Sequence, residues 1–178
     1  MPKKRVLILV EKIYEDLELW YPKLRLTEAG HEVVVCGPEA GQEYPSKHGY
    51  PVTSEVAARD VKAHDYDALV IPGGYAPDHM RRVPAMVDLV KAFDQARKPV
   101  AAICHAGWML ASARVVQGRR VTSFSSIRDD LVHAGARWED AAVVVDGHLI
   151  TSRVPKDLPD FCRALLAALE GTAVAATR

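Results

Sequence analysis

The chain has 178 residues, which suits one domain with a sizeable core. Hydrophobic residues make up 49%, an ordinary globular composition and not a disordered one. Lys plus Arg is 23 and Asp plus Glu is 23, so no net charge draws the chain to nucleic acid or an anionic membrane, and none opposes self-association.

Val6 to Val10 reads as a buried first strand. This apolar run stops at Glu11 and Lys12, too short for a signal peptide or a membrane span, so a cytoplasmic location is expected. Glu15, Asp16 and Glu18 place carboxylates in the first turn of a helix that Gly30 ends. Leu17, Trp20, Tyr21, Leu24 and Leu26 give that helix an apolar side. Val33 to Cys36 is the second strand, and the Gly- and Pro-rich stretch 37–51 holds a small hairpin around Gly49. Val56 and Val61 are placed on a short helix, and Ala68 to Ile71 on a third buried strand closed by Pro72-Gly73-Gly74.

Pro77 to Arg82 is a short helical turn and Pro84 to Ala96 a longer helix. Val100 to Ile103 is a further buried strand, followed at once by Cys104 and a helical pattern. Arg119 to Thr122 reads as a strand and Ile127 to His133 as a helix ending at Gly135. Ala142 to Val145 and Leu149 to Thr151 form a hairpin turning on Asp146-Gly147. Pro155 to Leu169 is a closing helix whose Phe161, Leu165, Leu166 and Leu169 face the core. One domain over 1–171 and a loose tail over 172–178 follow. Apolar strands alternating with helices predict a mostly parallel sheet with helices on both faces, and ligands bind such sheets beyond the strands' carboxyl ends.

Three loops at that edge carry chemistry. Cys104 stands where a strand turns into a helix, so its side chain is pushed out at the sheet edge, and the helix N-terminus favours a thiolate. This is the cysteine form of a nucleophile elbow, with the His105 N–H available to an oxyanion. On position alone, a Cys after a strand is as readily a small buried apolar residue. Glu15, after the first strand, can approach Cys104 across neighbouring strand ends. A carboxyl pressed against a thiolate is pushed towards its protonated form and donates a hydrogen bond. Glu18 and Asp16 compete for the same role, and a solvated carboxylate at a helix start is the plainer alternative.

Gly73-Gly74 lets a backbone N–H come close to a substrate oxygen, or is there because only Gly fits the turn. No phosphate-loop pattern occurs. His105 is a base or substrate contact, and Asp78 would have to come from elsewhere to orient it. The other six His residues lack metal spacing, so no metal or cofactor is expected. The cysteines at 36, 104 and 162 are odd in number, with no C-x-x-C, which argues for a reducing compartment and against a disulfide framework. Cys36 and Cys162 read as buried and inert.

Ala-Ile-Cys-His at 102–105, Tyr-Glu-Asp-Leu-Glu at 14–18, Pro-Gly-Gly-Tyr-Ala-Pro-Asp at 72–78 and Ser-Arg-Val-Pro at 152–155 resemble the PfpI branch of the ThiJ/PfpI superfamily. Lys-His-Gly-Tyr at 47–50 and Val-Val-Asp-Gly at 144–147 fit too. The resemblance implies a flavodoxin-like three-layer sandwich, a nucleophile at Cys104, a buried carboxylic acid at Glu15 and an oxyanion hole from the N–H groups of Gly74 and His105. It also implies a homodimer, often built into a hexamer, with Asp78 reaching His105 from a neighbouring subunit. The family usually has Gly-Pro after Cys-His, where this chain has Ala106-Gly107, and many relatives carry Glu where this one has Asp78. The implied activity is that of a cysteine hydrolase, either an intracellular peptidase or a glyoxalase or protein deglycase acting on methylglyoxal-type adducts. A redox or stress sensor, in which Cys104 is oxidised to a sulfinate held by Glu15, is the alternative from another class.

Overall fold

The computed structural model describes residues 2–171, so the tail expected at 172–178 lies outside the described residues. The elements run β1 (Arg5–Leu9), α1 (Asp16–Glu28), β2 (Glu32–Gly37), β3 (Glu43–Tyr44), β4 (Val52–Thr53), β5 (Val56–Ala57) and β6 (Ala68–Ile71). Then come α2 (Ala76–Met80), α3 (Pro84–Gln95), β7 (Val100–Ile103), α4 (Gly107–Ser112), β8 (Arg120–Val121), α5 (Arg128–His133), β9 (Arg137–Trp138), β10 (Val143–Asp146), β11 (Leu149–Ser152) and α6 (Leu158–Glu170).

Among the described residues the main sheet has seven strands in the order β10-β11-β7-β6-β1-β2-β5. Only β10 runs antiparallel, paired with β11 through the Gly147 turn. The central strands are apolar at nearly every position because helices cover both faces. Every residue of β6 and β7 is buried, and so is all of β1 beyond Arg5. Registers are fixed in turn: Leu7 lies opposite Val34 and Leu69, and Leu69 opposite Val100. Two groups of helices form the outer layers. α1 packs with α6, while α2, α3 and α4 pack together and α5 packs on α4. This is the flavodoxin-like sandwich that the sequence implied.

Four local expectations change. The stretch around Val56 is not a helix: Val56–Ala57 is an edge strand beside Cys36–Gly37, followed by a single 3-10 turn at Ala58–Asp60. The apolar side read on α1 is not its buried side: Glu18, Leu19, Pro22 and Leu26 face inward, whereas Leu17, Tyr21 and Leu24 are exposed. The strand near Arg119 shortens to β8 and pairs with the unforeseen β9 in a small separate parallel sheet. The closing helix starts later, after a 3-10 turn at Pro155–Asp157. The hairpin around Gly49 is present, as β3 paired with β4.

Candidate active site at the carboxyl edge of the sheet

The strand order sets β7, β6 and β1 side by side and parallel. Their carboxyl ends deliver the segment after Ile103, the Gly73-Gly74 loop and the turn before α1 to one place. Tyr14 ties the last two together through bridges to Gly74 and Ser46. The result is a cleft of about 350 Å³ lined by Cys104, His105, Gly74, Glu15, Glu18 and Lys47, with apolar walls from Ile13, Tyr75, Phe124, Val154 and Pro155.

Cys104 has φ 63°, a left-handed conformation that L-residues rarely adopt. It ends β7 and opens a 3-10 turn, Cys104–Ala106, that runs into α4. Holding a non-glycine residue there costs about 1–3 kcal/mol, which the surrounding sheet supplies. The strained turn aims the thiol into the cleft, where Cys104 is 8% exposed. The backbone N–H groups of Gly74 and His105 both donate to its sulfur. Gly74 can do so because its φ is 73° and because a Cβ there would sit 2.5 Å from the Ile13 carbonyl oxygen. Gly73 has an equally strict reason: a Cβ would lie 2.5 Å from Glu18 Oε2 and 2.7 Å from Cys104 Cβ.

The buried acid is Glu18, which corrects the expectation placed on Glu15. Glu15 caps α1: its side chain turns back and Oε2 accepts the Glu18 N–H at 3.0 Å. That leaves its carboxylate at the rim of the cleft. Glu18 lies one helical turn further on, in the same inward phase as Leu19, Pro22 and Leu26, and is fully buried. Its Oε2 accepts the Gly73 N–H at 2.8 Å, Oε1 has no hydrogen-bond partner, and the carboxyl lies beside Cys104, since a Cβ on Gly73 would touch both side chains. Burial, helped by the nearby Glu15 charge, pushes the Glu18 carboxyl up to about 8. Glu18 therefore holds a proton at neutral pH.

Burial likewise pushes the Cys104 thiol up, and a negative Glu18 would push it further. These two acids form one coupled pair. When Glu18 keeps its proton its repulsion vanishes, and the carboxyl and two backbone N–H groups are all aimed at the sulfur. Burial pushes all three thiols, Cys36, Cys104 and Cys162, up to about 12, and only at Cys104 do backbone N–H groups act against that push. All three thiols are buried and unpaired.

His105 Nδ1 stands 3.2 Å from Cys104 Sγ, a direct contact between sequence neighbours that the sequence did not assure. Its Nε2 stands 3.1 Å from Ser126 Oγ. The imidazole stacks on Phe124 with centroids 5.0 Å apart and meets Trp108 edge-on at 5.1 Å. Burial, with Lys47 adding a positive charge nearby, lowers the His105 pKa, so the ring is neutral at pH 7. Asp78 sits on α2, and within the chain its carboxylate lies 3.8 Å from Arg82, outside the cleft lining. Beside the cleft, Glu15, Asp16 and His48 bring possible ligand atoms within 4.8 Å of one another. Both Asp16 oxygens are already engaged, by the Ser46 hydroxyl and by the His48 N–H and ring.

Ser126 and Phe124 carry no signal in the sequence, and Lys47 enters only through the resemblance, in Lys47-His48-Gly49-Tyr50. Ser126 lies in a 3-10 turn distant in sequence from His105, and no local pattern joins them.

A strained cysteine turn, a buried glutamate and a histidine thus meet at the carboxyl edge of a flavodoxin-like sheet. The chain matches the DJ-1/PfpI family model over residues 4–168 and belongs to that family. It is 46% identical to a deglycase of Pyrococcus abyssi over 93% of this chain and 99% of the relative. It is 43% identical to a protein of Bacillus subtilis named putative cysteine protease YraA, over 92% of this chain and 96% of the relative. Among solved structures, a two-domain protein of Anabaena variabilis with DJ-1/ThiJ/PfpI-like and ferritin-like domains superposes with a TM-score of 0.95 at 40% identity. That match covers 99% of this chain and 52% of the larger one. Drosophila melanogaster DJ-1beta superposes with a TM-score of 0.88 at 29% identity, covering 96% and 92%. Among the described residues no helix is long and apolar enough to cross a membrane.

Proposed function

We propose that the protein is a cysteine-dependent hydrolase of small carbonyl compounds or their adducts on amino groups, with Cys104 as nucleophile. The observation that carries this reading is the thiol of Cys104, held at φ 63° in a small cleft against a buried, protonated Glu18. Sγ adds to an aldehyde carbon, and the carbonyl oxygen takes up the electron pair. The Gly74 and His105 N–H groups, already beside the sulfur, stabilise that oxyanion. Neutral His105 accepts the thiol proton at Nδ1 and returns it at a later step. The product is a hemithioacetal, still at the aldehyde level. With a 2-oxoaldehyde such as methylglyoxal, His105 moves the proton on that carbon to the adjacent carbonyl carbon, which is reduced to an alcohol as the sulfur-bearing carbon becomes an acyl thioester. Water then cleaves the thioester, releasing a 2-hydroxy acid (and, from an adduct, the free amine) and regenerating the thiol.

A volume of about 350 Å³ suits a small carbonyl ligand better than an extended peptide, whose side chains need a string of subsites. The deglycase names of several relatives agree with this choice, and the putative protease name of another keeps peptides in the test. The same reading includes a homodimer or hexamer in cytoplasm, in which Asp78 of one subunit stands near His105 of another without being the partner of its Nε2. Exposed Leu17, Tyr21 and Leu24 on α1 and a net charge of zero favour self-association.

The test is turnover of methylglyoxal, of a methylglyoxal-treated amino acid and of a fluorogenic peptide by the intact protein and by Cys104→Ser. Multiple turnovers of the first two that vanish in the variant are expected, because a hydroxyl lacks thiolate nucleophilicity at neutral pH. Peptide cleavage alone would shift the reading to a peptidase. The second reading, a redox sensor, draws on the Glu18 carboxyl lying where it could hold a sulfinate. It requires stoichiometric peroxide oxidation at Cys104 with no turnover.

A further inference from the structure

We infer that Ser126 is the positioning residue for His105, orienting the imidazole from within the same chain. The inference rests on the reading of Cys104 and His105 as a working pair.

The imidazole is fixed at both nitrogens. Nδ1 faces Cys104 Sγ at 3.2 Å, and Nε2 faces Ser126 Oγ at 3.1 Å. A neutral imidazole has one donor and one acceptor nitrogen. For Nδ1 to take the thiol proton, the ring proton must be on Nε2, and that N–H needs an acceptor. Ser126 Oγ supplies it. The neutral state agrees with this assignment, since burial and the nearby Lys47 charge both disfavour imidazolium.

The segment bearing Ser126 is anchored to the elbow it serves. The Phe124 N–H donates to the Cys104 carbonyl at 3.2 Å, and the Phe124 ring stacks on the imidazole. Ile127, fully buried, pins the other end of the 3-10 turn Ser125–Ile127. Ser126 is thus placed by backbone tied to the cysteine itself. The remaining charged groups around the cleft are Glu15, Glu18 and Lys47, and none of them bonds Nε2. The hydroxyl is exposed, so its removal leaves no cavity and the fold should tolerate substitution.

The inference separates from the in-trans role of Asp78. If Asp78 of a neighbour supplied the Nε2 partner, Ser126 would be dispensable. If Ser126 supplies it, the Cys104–His105 pair is complete in one chain.

Ser126→Ala, Ser126→Thr and Asp78→Ala are made in the full chain. The Cys104 alkylation rate is followed across pH 5–9, and the His105 tautomer is read by long-range proton–nitrogen NMR. The expected result is Nε2–H as the main tautomer in the parent. Ala should mix the tautomers and slow alkylation near pH 7 by about tenfold, the worth of one hydrogen bond to a group that becomes charged. Thr, keeping the hydroxyl, should restore both readouts. Parent-like rate and tautomer in Ser126→Ala overturn the inference, as does a Thr variant no better than Ala. A tautomer change in Asp78→Ala but not in Ser126→Ala overturns it in favour of the neighbouring subunit. Neither readout depends on a substrate, so loss of the hydrolase reading would show separately, as missing turnover.

Discussion

Glu18 is an acid that the fold keeps protonated. An unfolded glutamate releases its proton near pH 4.5, whereas Glu18 in the native state holds it to about 8. Between those values the native state binds a proton the unfolded chain has lost. Stability from this group is therefore full below about pH 4.5 and is lost as pH rises through 8. Glu18→Gln removes this dependence. Thermal melts from pH 5 to pH 9 should show the Gln variant gaining on the parent as pH rises, and a constant offset would refute the buried proton. The amide also still donates to sulfur. Cys104 alkylation should be nearly preserved in Glu18→Gln and at least about tenfold slower in Glu18→Ala, which loses a hydrogen bond to a charged atom. Glu15→Ala should instead cost about 1 kcal/mol of stability as a lost helix cap. Gly73 is a second residue without latitude, since an added methyl meets Glu18 Oε2 at 2.5 Å and Cys104 Cβ at 2.7 Å. Gly73→Ala should lower stability by about 1–3 kcal/mol and slow alkylation of a folded protein, which circular dichroism and iodoacetamide kinetics would measure.

At the scale of elements, α1 and α6 show how composition and phase differ. α6 places Phe161, Leu165 and Leu169 inward as its periodicity foretold, and all three are buried. Leu165→Ala should cost about 2–5 kcal/mol in urea unfolding, because it empties space between α6 and the sheet. α1 carries apolar residues on two sides. Leu17, Tyr21 and Leu24 are exposed, and the buried face includes a carboxyl, Glu18, and a proline, Pro22. A reading that assigns apolar residues to the core misplaces Leu17, Tyr21 and Leu24 there, and a choice of acid by its place after the first strand takes Glu15 instead of Glu18. The clue available was spacing: Glu18, Pro22 and Leu26 recur every four residues beside Leu19. β5 and β9 are too short for two-residue alternation to register, so only their partners, Cys36–Gly37 and Arg120–Val121, define them.

On the scale of the molecule, the sheet order is the functional device. It makes β7, β6 and β1 adjacent and so gathers residues 13–18, 73–75 and 104–105 into one cleft. The exposed α1 stripe and zero net charge lead to a prediction for the assembly. Leu17→Lys with Leu24→Lys should reduce the apparent mass in sedimentation if α1 lies in a subunit interface, while the monomer fold persists. An unchanged mass would place any interface elsewhere. Mixing Asp78→Ala with Cys104→Ser subunits should regain activity only if Asp78 acts across that interface.

The sequence by itself determined the alternation of strands and helices, the buried character of Val6–Leu9, Ala68–Ile71 and Val100–Ile103, and the place of Cys104 at a strand-to-helix turn. These are local properties, written in periodicity and in the short menu of residues that a turn admits. Which carboxyl meets the thiol was decided only by the tertiary structure, because α1's rotation against the sheet fixes it and the helix carries apolar residues on two sides. The contact of Ser126 with His105 was also beyond the sequence. The two are 21 residues apart, and a hydroxyl's role depends on what the fold brings within 3.1 Å of it.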